Sequence, residues 1–302
     1  MRDLEAMLYV PAGDARKLDK VPRLLALTAI IVDLEDAVAV EAKDSARAAC
    51  GRMLDNIGAA GSGGRQGQIW VRINAPGTDA FTADLDACVR AEVSGLIVPK
   101  ATADSLGTVA SHVRQREATA GLAAGSVALM GLIETIEGWH SVRTATSLPA
   151  RVHGLSFGAG DFSLELGLPF PPPGGVQGHT LLMAKAELVL HSRRLGLAPP
   201  HDGVYPAFRD LDALLAEAAL AKSMGFVGKH TIHPDQVPVV RSVFGPDPAE
   251  LDKARRILDA AEQARRIGLG NADVDGELVD VPVIERARQL LHEAGGAGGT
   301  AS

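Results

Sequence analysis

The chain has 302 residues, with 37 Asp and Glu against 30 Lys and Arg, a net charge of −7 with neutral histidines, and 46% hydrophobic residues. This composition is that of a globular protein, and the length fits either two domains of ordinary size or one α/β barrel of about 250 residues with an extension. Since no run of Lys and Arg is longer than two residues, broad binding to nucleic acid or to an anionic membrane is not expected.

Cysteine use and the apolar runs predict a reduced, cytoplasmic protein. The two cysteines, Cys50 and Cys88, are 38 positions apart and lack the clustered spacing of a metal site. The amino-terminal segment has no apolar core of the signal-peptide kind, and the longest apolar stretches, residues 29–32 and 127–133, are far too short to cross a bilayer.

Eight runs of β-branched and aliphatic residues, each stopped by a polar residue, Gly or Pro, predict eight strands. In chain order they are MLYVPAG from Met7, AIIVDLEDAV from Ala29, QIWVRIN from Gln68, GLIVPK from Gly95, VALMGLIET from Val127, VHGLSFGAGDF from Val152, HDGVYP from His201 and FVGKHTIH from Phe226. Helical periodicity lies between them. Residues 210–224 are an example, capped by Asp210 and ended by Gly225, with one buried face made of Leu211, Leu214, Leu215 and Ala218.

Strands that are apolar along their whole length are expected to be buried on both faces, as in a parallel sheet flanked by helices. Eight strand–helix units close a (β/α)8 TIM barrel, which we predict for residues 1–246. An open, doubly wound sheet is the weaker alternative, because no GxGxxG follows the first strand.

A C-terminal helical extension is predicted for residues 247–293. The sequence DPAE from Asp247 supplies an N-cap, a first-turn proline and a third-position Glu, so a helix is expected to run to Gly268. A non-helical loop, GLGNADVDGELVD, then leads to a second helix, VPVIERARQLL, with a buried stripe of Val283, Ala287, Leu290 and Leu291. Residues 294–302 are expected to be a disordered tail, and long loops are expected at 58–67 and 168–178.

Charged residues follow six of the eight strands, at the rim where a barrel enzyme carries its reactive groups. Such consistent placement predicts an active site at this rim. The residues are Asp33, Glu35 and Asp36 after strand 2, Arg72 after strand 3, Lys100 after strand 4, Glu134 after strand 5, Asp161 after strand 6, and His230 and His233 after strand 8.

Glu134 and Asp161 end neighbouring strands, so their carboxylates are expected within a few ångströms of each other. Two carboxylates without a nearby cysteine, completed by water, form the oxygen-rich site that Mg²⁺ or Mn²⁺ prefers. The simpler interpretation is that either residue caps the helix after its strand. Lys100 is expected either to neutralise a ligand or to pair with Glu134 or Asp33.

Arg72 suits a substrate carboxylate, because its planar fork matches two oxygens, and it suits equally an ion pair with the acids of DLEDAV. Strand alternation places Asp33 and Glu35 on one side and Leu34 on the other, with Asp36 turning into the loop. Both interpretations of Arg72 are compatible.

Two other motifs are given less weight. Residues 154–158 match GxSxG, but Ser156 lies in mid-strand, whereas a nucleophile elbow needs its serine on a tight turn. His230 and His233 have a metal-like spacing, but on a strand this spacing points the two rings to opposite sides. We therefore expect packed or loop-bonded histidines, with His233-Pro234 marking a strand-to-helix corner.

Nine segments, in order over about residues 7–293, match one known family. They are VPAGD from Val10, IIVDLEDAV from Ile30, VRIN from Val71, LIVPK from Leu96, LIET from Leu132, FGAGDF from Phe157, DGVYPAFRDLD from Asp202, GKHTIHPDQ from Gly228 and ELVDVP from Glu277. Together they resemble the citrate lyase β-subunit family, which includes malyl-CoA and citramalyl-CoA lyases and malyl-CoA thioesterases.

The resemblance implies a barrel that uses Mg²⁺, or Mn²⁺, to cleave or form a carbon–carbon bond between an acyl thioester and a 2-oxo acid. By the same resemblance, Glu134 and Asp161 ligate the metal that holds the substrate, and Arg72 binds a carboxylate. The backbone after strand 6, at Gly160, binds the oxo-acid carboxylate. The family commonly has a carboxylate at the position of Gly160, which is a departure in this chain.

The resemblance also implies how a coenzyme A thioester is held. Basic residues after strand 1 approach its phosphates, and in this chain they are Arg16, Lys17 and Lys20. Pro22 interrupts the first helix and is expected to move Lys20. In the CoA lyases the C-terminal segment covers a neighbouring subunit and delivers an Asp, matching Asp280, so a homotrimer or hexamer is implied.

We therefore expect a lyase acting on a 3-hydroxyacyl-CoA such as malyl-CoA, methylmalyl-CoA or citramalyl-CoA. Arg72 would hold the developing carbonyl oxygen, Glu35 and Asp36 are candidate catalytic carboxylates, and Asp280 is the candidate acid. Three alternatives stay open: hydrolysis of malyl-CoA on the same site, a citrate lyase β-subunit acting on a carrier-bound citryl thioester, and a non-catalytic barrel that binds CoA esters.

Overall fold

The computed structural model describes residues 4–59, 67–172 and 177–295, and within them eight parallel strands close a barrel. Each strand pairs with the next, and β1 also pairs with β8, which confirms the predicted fold. The strands are β1 (Ala6–Pro11), β2 (Ala29–Asp33), β3 (Ile69–Arg72), β4 (Gly95–Val98), β5 (Ala128–Ile133), β6 (Val152–Phe157), β7 (His201–Asp202) and β8 (Gly228–Thr231).

Helices follow the strands in the alternating order expected of a barrel. Pro22 lies in the first turn of the second helix, where its missing N–H is tolerated, so the first helical segment is divided as predicted. The helices are α1 (Ala15–Leu18), α2 (Val21–Leu24), a 3-10 helix (Val40–Ala42), α3 (Lys43–Ala59), α4 (Phe81–Cys88), α5 (Ala103–Thr119), α6 (Ile136–Thr144), α7 (Ala159–Glu165), α8 (His179–Arg194), α9 (Leu211–Met224) and α10 (Gln236–Phe244).

The barrel wall divides the core in two. Alternate strand residues, among them Met7, Ile31, Trp70 and Met130, fill the interior, while their neighbours pack outward under the helices. A side chain at Gly95 would overlap the indole of Trp70, so the glycine makes room for the largest interior residue. Because the interior is packed, space for a ligand lies at the ends of the strands.

Helix α9 shows how closely local sequence determines an element. Asp210 accepts a hydrogen bond from the Ala213 N–H at 3.1 Å, and Gly225 ends the helix in the left-handed conformation with φ 103°. The buried face differs from the prediction at one position. Leu215 is 45% exposed, and Ala221 is buried in its place, one turn beyond Ala218.

Residues from Gly245 onward form a second compact unit with its own core. It contains α11 (Pro248–Arg266), capped by Asp247, and α12 (Val281–Gly295). Where the sequence predicted a loop, the structure has an antiparallel hairpin of β9 (Ala272–Val274) and β10 (Glu277–Val279). Asp275 and Gly276 form its two-residue turn, with φ of 55° and 81°, and Asp-Gly is the sequence signal that prediction overlooked.

Parts of three predicted segments lie outside the described residues: 60–66 of the loop before β3, 173–176 of the loop after α7, and 296–302 of the tail. The helix α12 extends to Gly295, so the first residues of the predicted tail are helical. Among the described residues, no helix is both long and apolar enough to cross a membrane.

Candidate active site

A cavity of about 530 Å³ lies at the carboxyl ends of the barrel strands. Its walls mix apolar side chains, such as Phe157 and Phe170, with many of the residues that the sequence singled out as candidates for the site. Those residues are Lys17, Lys20, Asp33, Asp36, Arg72, Glu134, Gly160, Asp161, His230 and His233.

Arg72 is held in one orientation by acids from strand β2. Its Nε and Nη2 donate to the two oxygens of Asp33 at 2.8 and 2.7 Å, as expected from the register that places Asp33 opposite Arg72. Its Nη1 lies 2.9 Å from Glu35 Oε2 and 3.7 Å from Asp36 Oδ2. The ring of Tyr9 packs against the guanidinium at 5.1 Å. The predicted ion pair is therefore present, and the guanidinium also borders the cavity.

The segment DLEDAV alternates as the sequence predicted. Asp33 and Glu35 are buried beside Arg72, Leu34 packs into the outer core, and Asp36 is largely exposed. Asp33 also accepts hydrogen bonds from the backbone N–H of Glu35 and Ala37 at 3.0 and 3.3 Å. The Asp33 carboxylate therefore both holds the loop after β2 and orients the Arg72 guanidinium.

Glu35 and Asp36, the two candidate catalytic carboxylates, differ in environment. Burial raises the pKa of Glu35, and the Asp36 charge adds to this, against the opposing effects of Arg72 and Lys100. Asp36 lines the cavity and is solvated. Asp36 therefore has direct access to the cavity, whereas Glu35 is the carboxyl with the raised pKa.

Glu134 is a buried carboxyl at the end of β5, 4% exposed. Among the described residues it accepts one hydrogen bond, by Oε1 from the Lys100 N–H at 2.8 Å. Burial, followed by the charge of Glu35, raises its pKa to about 8. Gly158 is required beside it, because a Cβ at that position would lie 2.5 Å from Glu134 Cβ and 2.8 Å from its Oε2. The residue does not cap α6, since Thr135 does so through the Gly138 N–H.

Asp161 lies in the first turn of α7, whose N-cap position is Gly158, so it does not cap that helix either. Its carboxylate borders the cavity, and its charge contributes to the raised pKa of Glu134. Lys100 Nζ is 3.6 Å from Asp161 Oδ2 and 3.2 Å from Glu35 Oε1. The predicted partners of the Lys100 ammonium, Glu134 and Asp33, are therefore wrong, because the contact to Glu134 comes from the backbone.

The donor set fits a hard divalent cation with few protein ligands. Glu134 and Asp161 supply carboxyl oxygens to one cavity, and the charge of Asp161 disfavours ionisation of Glu134. Within residues 4–59, 67–172 and 177–295, no three His, Cys, Asp or Glu side chains are grouped to hold a metal. A cation here would use two carboxylates together with oxygens from substrate and water.

The three basic residues after β1 separate in the structure. Lys17 and Lys20 line the cavity, whereas Arg16 has a 92% exposed side chain and lies 3.7 Å from Asp14. Gly160 also borders the cavity, and a Cβ there would meet Phe170 at 3.5 Å, an ordinary contact, so the position has room for a side chain.

The histidine prediction is half right. His230 and His233 line the same cavity, so their placement on opposite sides is wrong, because β8 ends at Thr231 and the chain turns before His233. His233 stacks on Phe208 at 5.0 Å, and Pro234 precedes α10 as the predicted corner. Ser156 is fully buried within β6, which agrees with rejecting the nucleophile elbow.

Sequence reasoning missed a buried charge network behind β7 and β8. Asp202 accepts from Lys185 and Lys229, both at 2.7 Å, and Lys229 also contacts Glu217 at 2.6 Å. Burial alone would raise the pKa of Asp202, but the two lysines lower it to about 2. The network anchors the two-residue strand β7 just before Gly203, which lines the cavity. The sequence signal for this network was the presence of Asp202 and Lys229 inside otherwise apolar runs.

Comparison with known proteins gives consistent matches over nearly the whole chain. The HpcH/HpaI aldolase/citrate lyase family model matches residues 5–234. A (3S)-malyl-CoA thioesterase from Cereibacter sphaeroides is 36% identical over 289 residues, covering 96% of this chain and 94% of the relative. The citrate lyase subunit beta of Escherichia coli K12 is 32% identical over 294 residues, covering 97% and 94%.

Solved structures show the same fold. A crystal structure of CitE from Mycobacterium tuberculosis in complex with magnesium, acetoacetate and coenzyme A superposes with a TM-score of 0.75 at 26% identity, covering 97% of this chain and 99% of that one. A citrate lyase from Burkholderia xenovorans gives a TM-score of 0.81 at 22% identity, covering 99% and 94%, a likeness of fold alone.

Proposed function

The chain belongs to the HpcH/HpaI aldolase/citrate lyase family and is a lyase, and on this premise we propose that it cleaves or forms a carbon–carbon bond in a 3-hydroxyacyl-CoA. The products of cleavage would be an acyl-CoA and a 2-oxo acid, from a substrate such as malyl-CoA, methylmalyl-CoA or citramalyl-CoA. The observation that carries the proposal is the buried, poorly satisfied Glu134 carboxyl, which shares one cavity with Asp161 and Arg72.

Glu134 and Asp161 are the proposed ligands of Mg²⁺ or Mn²⁺. The M. tuberculosis CitE complex, which contains magnesium, acetoacetate and coenzyme A, supports this choice. When bound, the cation would supply Lewis-acid stabilisation of the negative charge that develops on the 2-oxo acid half. Gly160, on the same wall, offers backbone to the carboxylate of that half and has no side chain in the way.

The bond-breaking step needs a base and a fixed positive charge. A carboxylate, Asp36 or Glu35, removes the proton of the substrate hydroxyl, whose oxygen becomes the carbonyl of the departing 2-oxo acid. Arg72, oriented by Asp33, holds that oxygen while the carbon–carbon bond breaks. The electron pair of the broken bond passes to the thioester as an enolate.

The enolate then needs a proton on carbon. We propose Asp280 as the acid, delivered from a neighbouring subunit of a homotrimer or hexamer. Asp280 is exposed in its own unit, where it precedes α12 and accepts from the Val283 N–H at 3.4 Å. For this role the neighbouring subunit would have to bury Asp280 and exclude water from the proton transfer.

Lys17 and Lys20 are proposed to bind the phosphates of coenzyme A. Both border the cavity, and ammonium groups suit phosphate oxygens as flexible point charges. Arg16, solvated and near Asp14, is the weaker of the three candidates. A cytoplasmic location is proposed from the two unpaired, buried cysteines, Cys50 and Cys88.

Thioester hydrolysis is a second candidate, because the 36% identical relative is named a (3S)-malyl-CoA thioesterase. The same site would then direct water at the thioester carbonyl and yield malate and CoA. A citrate lyase β-subunit, acting on a citryl thioester carried by a partner protein, is a third, favoured by the 32% identical relative.

One experiment separates these activities. Purified protein is incubated with malyl-, methylmalyl- and citramalyl-CoA, with Mg²⁺ or with EDTA, and the products are identified by mass spectrometry. We expect an acyl-CoA and a 2-oxo acid with Mg²⁺ only. Malate and free CoA would favour the thioesterase, and turnover that survives in Glu134→Gln would contradict the assigned site. Glu137→Gln, an exposed neighbour on α6, is the matched control.

A further inference from the structure

Lys100, two residues after the end of β4, contacts both of the proposed metal ligands. Its backbone N–H donates to Glu134 Oε1 at 2.8 Å, and its Nζ lies 3.6 Å from Asp161 Oδ2. The same Nζ lies 3.2 Å from Glu35 Oε1. One ammonium group is therefore shared between a carboxylate proposed to bind the cation and a carboxylate proposed as a candidate base.

The backbone of Lys100 has a conformation that lysine rarely adopts. Its φ is 47°, in the left-handed region where glycine has no steric penalty. A glycine in this conformation would present the same N–H to Glu134 without strain. Backbone strain of this kind is typical of positions where a side chain has a function, so the ammonium is the feature that needs an explanation.

Arg72 and Lys100 both contact Glu35, but the structure holds them with different strength. The Arg72 side chain is 12% exposed and contacts Asp33 at 2.8 and 2.7 Å and Glu35 at 2.9 Å. The Lys100 side chain is 45% exposed, and its distance to Asp161 is longer than a hydrogen bond. Because the ammonium is on a flexible stem, it can leave Asp161 while Arg72 stays fixed.

A divalent cation on Glu134 and Asp161 needs the negative charge that the Lys100 ammonium neutralises. Two positive charges beside one carboxylate repel each other, and this repulsion is stronger near a protein surface than in bulk water. When the ammonium leaves Asp161 it still has Glu35 as a partner. The geometry therefore favours a short movement from one carboxylate to the other.

We propose that Lys100 is an internal counter-ion of the metal site, whose ammonium neutralises Asp161 until a divalent cation binds and then moves to Glu35. Lys100 is a positioning residue, since it acts through these two carboxylates. This inference rests on the proposed function and adds a control of metal affinity to it. The ammonium competes with Mg²⁺ and weakens its binding.

Calorimetry tests the competition by measuring the dissociation constant of Mg²⁺ for the wild type and for variants of Lys100. We expect Lys100→Met and Lys100→Gly to bind Mg²⁺ about tenfold more tightly, because the competing charge is removed. Lys100→Gly suits the positive φ and keeps the N–H that Glu134 accepts, so it tests the side chain alone if Lys100→Met folds poorly. Lys100→Arg keeps the charge and should bind Mg²⁺ as the wild type does.

A matched control removes a lysine charge elsewhere in the barrel. Lys222 lies in the last turn of α9, the helix that leads to the start of β8 at the opposite rim. Lys222→Met changes the net charge by the same amount as Lys100→Met. Its affinity for Mg²⁺ should equal that of the wild type.

Carbon NMR of protein labelled with ¹³C-lysine follows the movement of the ammonium itself, without turnover. The Lys100 Cε signal, assigned by its loss in Lys100→Arg, should shift when Mg²⁺ is added, because the ammonium exchanges Asp161 for Glu35. The Lys222 Cε signal, assigned by its loss in Lys222→Met, should stay in place.

The outcomes separate this inference from the function on which it rests. Unchanged or weaker Mg²⁺ binding by folded Lys100→Met or Lys100→Gly would overturn the inference alone. So would an equally large gain in Lys100→Arg or Lys222→Met, or a Lys100 signal that Mg²⁺ does not shift. A wild type that binds no Mg²⁺, or binds it no better than Glu134→Gln does, would overturn the proposed metal site and the inference with it.

Discussion

Two buried glutamates flank strand β5, one at each rim of the barrel, and their surroundings are opposite. Glu117, at the amino-terminal rim, accepts two hydrogen bonds from the Arg151 guanidinium at 3.0 and 2.7 Å and two from backbone N–H groups, of Gly125 and Val127. Burial would raise its pKa, but these donors lower it to about 2. Glu134, at the carboxyl-terminal rim, has one donor among the described residues, the Lys100 N–H, together with acidic neighbours, and its pKa is raised to about 8.

The difference between these glutamates shows how a barrel divides its tasks. At the amino-terminal rim a fully satisfied carboxylate ties the start of β5 to the residue before β6, so its charge stabilises the fold. At the opposite rim the same side chain is left short of donors, which costs stability and leaves oxygens available to a ligand. The comparison therefore separates a structural carboxylate from a functional one by its hydrogen-bond partners.

The largest expected effect is on turnover. Glu134→Gln should lower metal-dependent kcat/KM by about a thousandfold or more, because one of two proposed ligands loses its charge. The free energy of unfolding should stay the same or rise, since a neutral amide suits this buried position. Steady-state kinetics and urea denaturation measure the two effects. A large loss of stability would show instead that Glu134 acts as Glu117 does.

The second effect is on stability alone. Glu117→Gln leaves the Arg151 charge without its carboxylate and should lower the free energy of unfolding by about 3 kcal/mol, measured by urea denaturation. The kcat of the folded fraction should not change. Asp86→Asn, which breaks an exposed pair with Arg116, is the control and should cost less than about 1 kcal/mol. An equal loss in both variants would contradict the special role of Glu117.

The pH dependence of stability should also differ between the two rims. For Glu117 the folded pKa lies below the ordinary value near 4.5, so its contribution is complete above pH 4.5 and is lost as the pH falls toward 2. For Glu134 the folded pKa lies above the ordinary value, so stability falls as the pH rises from 4.5 to about 8. Urea denaturation in EDTA should therefore show that the free energy of unfolding of Glu134→Gln increases relative to that of the wild type between pH 5 and pH 8.5. A constant difference would contradict the raised pKa.

Some features of the two rims could be predicted from the sequence and others could not, for physical reasons. The eight strands and the charges at their ends were predictable because apolar runs and the residues that stop them are adjacent in the chain. The ion pair between Arg72 and the acids of DLEDAV was predicted correctly, because neighbouring parallel strands place their ends side by side. The hydrogen bonds that Glu117 accepts were not predictable. Arg151 lies 34 residues away in the sequence, and the loop geometry decides which backbone N–H groups reach the Glu117 carboxylate.

Errors arose where a short local change altered direction. His233 was assigned to the wrong side because strand alternation was extended beyond Thr231, where β8 ends. Lys100 was given the wrong partners because its backbone has a positive φ of 47°, which turns its N–H toward Glu134 and its ammonium toward Glu35. In both cases the residue type was interpreted correctly. The error was in where the regular backbone geometry ends and the chain changes direction.

The smallest expected effect is a proton released on metal binding. Below pH 8 the Glu134 carboxyl is largely protonated before a cation arrives, and ligation requires its anion, so Mg²⁺ binding should release close to one proton at pH 7 and almost none near pH 9.5. Calorimetry in two buffers of different ionisation enthalpy counts these protons. Glu134→Gln should abolish both the release and most of the binding. Tight binding by the wild type without proton release at pH 7 would mean that Glu134 is already ionised, and the contrast with Glu117 would then rest on hydrogen-bond partners alone.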